Sequence, residues 1–409
     1  MPDDAFAFST QSVLPAQCVS ASRDAESREA RPRTGRGIPS LTGVRGIAAL
    51  WVFCTHAQPV LAAYLAAPDV QKSLFMFNGF RGVDLFFVLS GFILMHVHAS
   101  EFFVLRADAI RNFYLLRFLR VYPLNTAVLL AVLPIGCAMP EVVAWFRFDH
   151  GAPIPYHAHD FSASGFVQTL LLAQSWTFVK LGEWNGPSWT LSAEIAGYAA
   201  FPVLALLATR CRSAKWAGFC GAASLVLLIV ILCAFGRAGI NPTGGFGLVR
   251  LVFCFTAGVA LSRCHALWPA GARWAGGMTV LALAWVALCL CWRPLNVLVT
   301  PAFGLLIFGL SYRRGLIDAI LSSRAAVFLG SISFSFYLVH YIPLRLALFV
   351  FPRYFAETPL ALRLAALTAT VAFCIVSAMA LHRWVEVPFQ RLARGARRAR
   401  PVGTALRPA

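Results

Sequence analysis

"RGIAALWVFCTH" runs from Arg45 to His56. Ten mostly apolar residues separate an arginine from a histidine in a stretch that reads as a membrane-crossing helix. At about 100° per residue, eleven steps make three turns plus roughly 20°, so both polar side chains share one face. They sit about 16 Å apart along the axis. An arginine at membrane depth costs at least about 2.5–3.5 kcal/mol, so such groups face a polar cavity or a partner. Snorkelling would account for Arg45. An interhelical hydrogen bond would account for His56. Their common face makes both candidates for function as well.

The composition carries the membrane reading along the whole chain. Of 409 residues, 59% are hydrophobic and 13% charged, and the mean hydropathy is +0.70. Apolar runs of roughly 17–25 residues with few charges read as transmembrane helices. About ten such runs occur, near 41–66, 80–98, 118–138, 188–209, 214–235, 246–264, 273–291, 296–312, 326–351 and 360–383. The fold class is therefore an all-α polytopic membrane protein. An additional run, 166–179, is short, carries two glutamines and reads as interfacial or re-entrant. Lys and Arg concentrate on the inside of a ten-span arrangement with both termini cytoplasmic, and would move outside if 166–179 also crossed. The formal net charge of +18 is thus a topology signal, and no nucleic-acid partner is expected. The eleven cysteines are scattered, mostly within apolar runs, without zinc spacing. They read as small hydrophobes, and no metal is expected.

Three regions follow. Residues 1–38 form a basic cytoplasmic tail expected to be disordered, 39–391 the transmembrane domain, and 392–409 a second basic tail. The long stretch 139–187 would be an outward loop, either plain solvated chain or an acceptor-binding surface. It carries His150, His157 and His159.

Further polar residues sit where apolar ones would be cheaper. "GVDLFFVLSGF" places Asp84 at one helix mouth and Ser90-Gly91 mid-helix, where they suit close helix packing. "RFLRVYP" sets Arg117 and Arg120 one turn apart, either as inside anchors or as a phosphate clamp. "NGPSWTLSAEIAGY" carries Trp189, Glu194 about two turns into the membrane, and Tyr198 one turn deeper. "ISFSFYLVHY" carries Tyr337 and His340. Glu386 beside Arg383 reads as a helix-terminus pair. By topology these residues form two layers. Arg45, Arg117 and Arg120 lie toward the cytoplasm and suit the phosphates of an acyl-CoA. His56, Asp84 and Glu194 lie in the outer half and offer a base with carboxylates to orient it. An extended pantetheine arm can cross much of the ~30 Å hydrocarbon core. The competing class is a transporter or flippase for a glycan intermediate, though no repeated halves are visible.

Together, "LTGVRGIAALWVFCTH", "GVDLFFVLSGFIL", "RFLRVYPL", "PSWTLSAEI", "SISFSFYLVH" and "VEVPF" resemble the acyltransferase-3 family of integral membrane O-acyltransferases, from about 39 to 391. The family's arginine-x10-histidine pattern falls on Arg45 and His56. Its R-x-x-R pattern falls on Arg117 and Arg120, and its tryptophan–glutamate word on Trp189 and Glu194. The last word departs from the family at Val387, where an arginine is expected. The resemblance implies transfer of an acyl group, commonly acetyl from acetyl-CoA, to a hydroxyl of a sugar or glycolipid. Trp189, Tyr198, Tyr337 and His340 are then expected at the substrate, with His56 as general base. The expected location is the bacterial inner membrane, among its lipids.

Overall fold

A computed structural model describes residues 37–150, 161–176, 184–237 and 243–398. Among them there is no strand. The helices that matter below are α1 (Pro39–Tyr64), α2 (Gly82–His98), α3 (Ala107–His150), α4 (Ala163–Leu170), α5 (Trp189–Arg210), α6 (Ala214–Ala234), α7 (Gly245–Leu267), α8 (Ala275–Cys291), α9 (Val299–Ser311), α10 (Leu316–Leu321), α11 (Arg324–Val339), α12 (Tyr341–Tyr354), α13 (Leu360–Leu381) and α14 (Val387–Arg398). Eight helical segments among the described residues are long and apolar enough to cross a membrane. The pair α11 and α12, bent by 51°, makes a ninth. The protein is an all-α polytopic membrane protein.

The expected run 296–312 became the short apolar helix Leu295–Ser311. Its α9 part is buried almost all round, from Phe303 through Ile307 to Leu310. A helix that is apolar on every side belongs in the protein interior. The opposite holds for α8 and α13, which expose Val280, Leu281, Leu288, Leu362, Phe373 and Val376. Those faces suit lipid, where only backbone-satisfied helices survive.

Close helix crossings set the frame of the site. Gly43 and Gly46 of α1 pack on Leu321 and on Gly330 of α11. A Cβ on Gly330 would strike the Thr42 carbonyl oxygen. A second crossing joins α2 to α7. There a Cβ on Gly91 would strike the Phe255 carbonyl oxygen, and one on Gly258 the Val88 carbonyl oxygen. Small residues at such contacts let backbones approach and exchange dispersion contacts where no hydrophobic drive exists between helices in lipid. "VLSGF" thus performs the close-packing role expected of it.

Three boundaries differ from the sequence reading. Helix α3 continues to His150, so the stretch 139–187 begins as helix and not as loop; His157 and His159 lie outside the described residues. The run 166–179 yields only the eight-residue α4, followed by turns at 171–176. Eight residues rise about 12 Å, too little to cross. Finally, α13 continues through a π-helical turn at His382–Glu386 into α14, so 392–398 is helical. Residues 1–36 and 399–409 lie outside the described residues.

Candidate active site

His56 lies near the far end of α1 from Arg45, and its partner is His340. His340 Nδ1 is 3.0 Å from the Phe336 carbonyl oxygen. A carbonyl can only accept, so Nδ1 carries the hydrogen and Nε2 of the neutral ring is an acceptor. His56 Nδ1 is 2.9 Å from that Nε2, so His56 donates from Nδ1. The Nε2 of a neutral His56 therefore keeps its lone pair. Aromatic side chains fix the rings in place. The two imidazoles stack at 5.1 Å, Tyr341 meets His56 edge-on at 5.2 Å, and Phe53 and Phe336 flank His340.

The break between α11 and α12 puts His340 there. Pro343 has no N–H to give the Val339 carbonyl, which interrupts the helical ladder. The Leu338 carbonyl oxygen is instead taken by Asn185 Nδ2 at 2.9 Å. Because Arg45 reaches Gly330 and Ser333 while His56 reaches His340, α1 and α11 run parallel, tied at both levels.

The arginines form a separate level. Arg45 donates from Nε to the Gly330 carbonyl oxygen at 3.2 Å and to Ser333 Oγ at 3.0 Å. Arg120 Nη1 pairs with Glu386 Oε1 at 3.1 Å. Glu386 also accepts from Ser335, His382 and Gln390. Its partner is thus Arg120, not the Arg383 expected from adjacency, and the π-helical turn carries it inward. Arg117 lies over the rings of Phe113 and Tyr198, at 5.6 and 5.9 Å. Its buried Nε has no hydrogen-bond partner among the described residues. Arg45 is thus hydrogen-bonded and Arg120 ion-paired, whereas Arg117 is held by ring stacking. Glu194 accepts from Ser90 Oγ at 2.6 Å. Arg45 lies in the electrostatic field of Arg120, Glu386 and Glu194, and Arg117 in that of Tyr198, Arg120 and Glu194.

Glu194 shares the electrostatic field of the arginines and Tyr198, and also that of Tyr337. One expected placement changes: Asp84 does not orient His56. Its carboxylate is held by Arg250 Nε at 2.7 Å and Arg81 Nη1 at 3.3 Å, with all three side chains at most 1% exposed. Arg81 continues to Asn296 at 3.1 Å, and Arg250 reaches the Phe80 carbonyl oxygen at 3.3 Å. Trp189 stacks beneath Arg250 at 5.6 Å and so supports this clamp. Tyr337 lies 5.9 Å from His340, ring to ring, and so does stand at the histidine pair. The sequence reading passed over Arg81 and Arg250. The signal was present: Arg250 stands alone in the apolar run "GLVRLVFCF", and a lone buried charge requires an opposite one.

A family model described as an acyltransferase domain matches residues 38–379. "Acyltransferase MdmB" of Streptomyces mycarofaciens is 30% identical over 92% of this chain and 97% of its own. "Putative O-acetyltransferase SACOL0978" of Staphylococcus aureus (strain COL) is 23% identical over 87% of this chain and 58% of its own. No solved structure matches. The matched segment contains the histidine pair and all three site arginines, and the chain belongs to the acyltransferase-3 family, as an enzyme that transfers acyl groups other than aminoacyl groups.

Proposed function

We propose that the protein takes an acyl group, acetyl being the simplest case, from cytoplasmic acyl-CoA and places it on a hydroxyl of a cell-envelope carbohydrate or glycolipid. The observation that carries this reading is the acceptor state of His56 Nε2, imposed by the bond from His56 Nδ1 to His340. A basic nitrogen on a neutral imidazole is what general-base catalysis requires near neutral pH. His56 Nε2 takes the proton of the attacking hydroxyl. The oxygen forms a bond to the thioester carbonyl carbon, the carbon–sulfur bond breaks, and the thiol product leaves with a proton. His340 is the positioning residue, accepting from His56 throughout.

The donor end rests on Arg117. Its guanidinium suits the phosphates of a coenzyme A moiety, with Arg120 in the electrostatic field of both Arg117 and Arg45. Acyl-CoA supplies the activated thioester. The residues present fit an anionic, extended donor, because positive charge gathers at one level and the base stands at the other. The bacterial inner membrane is the setting that gives such an enzyme both a cytoplasmic donor and an envelope acceptor.

The test is mass spectrometry of envelope and secreted glycans from wild type, a deletion strain, and the deletion complemented with His56→Ala. An acyl mass lost on deletion and not restored by the inserted variant is the expected result. Restoration by His56→Ala would remove the base assignment.

A further inference from the structure

We propose that the outer face of the π-helical turn and α14 binds anionic phospholipid headgroups through Arg383 and Arg391, with Trp384 and Leu392 set into the lipid beside them. This binding stands whether or not the chain transfers acyl groups.

The π-helical turn builds the face. Two turns of α-helix take about seven residues, and a turn bonded from i to i+5 adds about one more. Residues eight apart across His382–Glu386 therefore return to one side, which brings Arg391 into line with Arg383 and Leu392 into line with Trp384. Arg383 and Arg391 are exposed. Trp384 is 72% exposed and Leu392 61%. The other side of the helix meets the protein: α14 packs on α3, and Ala393 is buried.

Charge selects the ligand. Residues 383–398 contain five arginines and one acid, Glu386. Glu386 is buried and engaged by Arg120, Ser335, His382 and Gln390. The acid of this stretch thus faces inward while Arg383 and Arg391 face out. A guanidinium matches phosphate oxygens. The exposed apolar side chains on the same face point to a membrane surface and not to a free phosphate in water. An indole settles at headgroup level, and binding to anionic lipid grows with both the apolar area covered and the basic charge. The turn stands at the arginine level, since Glu386 reaches Arg120 at 3.1 Å. That is the side which the positive-inside bias assigns to the anionic cytoplasmic leaflet.

The test is native mass spectrometry of the detergent-solubilised full chain, titrated with dioleoylphosphatidylglycerol or dioleoylphosphatidylcholine. Wild type is expected to bind phosphatidylglycerol the more tightly. Arg383→Gln combined with Arg391→Gln should weaken that binding about tenfold or more, as the loss of two basic residues at an anionic surface requires. Arg210→Gln combined with Arg212→Gln removes two exposed arginines at and just past the end of α5, and should leave it at the wild-type level. All four positions are exposed, so both variants keep the fold. Equal affinity of wild type for the two lipids, or equal losses in the two double variants, would overturn the site. So would displacement of phosphatidylglycerol by acetyl-CoA, which would give the face to the donor instead.

Discussion

The Arg81–Asp84–Arg250 clamp and the His56–His340 pair are both polar clusters inside the same bundle, yet they are built on opposite terms. In the clamp each charge meets an opposite one, and Arg81, Asp84 and Arg250 are almost wholly buried. In the pair two neutral rings share one hydrogen, and the chain of donors ends on an open nitrogen. A charge-paired network holds helices in register, whereas a neutral one that ends on a basic nitrogen can exchange a proton. The arginine level repeats the contrast within itself. Arg45 and Arg120 are engaged by protein groups, and Arg117 is stacked but not hydrogen-bonded.

The largest effect should come from breaking the clamp. Asp84→Asn leaves two buried guanidiniums facing each other and is expected to destabilise the protein by about 3–5 kcal/mol, the scale for uncompensated buried charge. Thermal stability of the detergent-solubilised protein checks this. A variant as stable as wild type, yet inactive, would move Asp84 back to the chemistry.

His340→Leu sharpens the other side. It removes the acceptor for His56 Nδ1–H, so kcat should fall about 10²-fold, the low end for loss of general-base catalysis, with folded protein and donor KM unchanged. His340→Gln, whose amide oxygen can accept, should recover part of the rate. Equal losses in the two variants would mean that packing, not the tautomer, is what His340 provides.

Arg117→Ala should raise the KM for acyl-CoA about tenfold or more, as expected for charge-assisted hydrogen bonds to phosphate. Its kcat should change little. A change confined to kcat would break the assignment of Arg117 to the donor. The smallest effect is expected from Glu386→Gln. It keeps the shape of the contact to Arg120 but removes its charge, and a donor KM shift of about two- to fivefold is the outcome to look for in the same assay.

Much of this was legible before any fold was available. The apolar runs placed the spans because their lengths match the hydrocarbon core. The arginine and histidine of α1 stood out because such residues are expensive there. The one-turn spacing of Arg117 and Arg120 showed that they share a face. What misled was adjacency. Glu386 was matched to Arg383 by proximity in the chain, and its carboxylate went to Arg120. Asp84 was matched to His56 by depth, and it went to Arg250.

By itself, then, the sequence determined the solvent of this protein, its helical class, and which residues would have to find partners in lipid. Only the tertiary structure decided the partners. His56 and His340 are 284 residues apart, and Asp84 and Arg250 are 166 apart. A helix repeats every 3.6 residues or so, which tells which side chains share a face but not which helix that face meets. Pairing of polar groups acts over a few ångströms, so it is settled where glycine crossings let backbones close, at Gly46 against Gly330 and at Gly91 against Phe255.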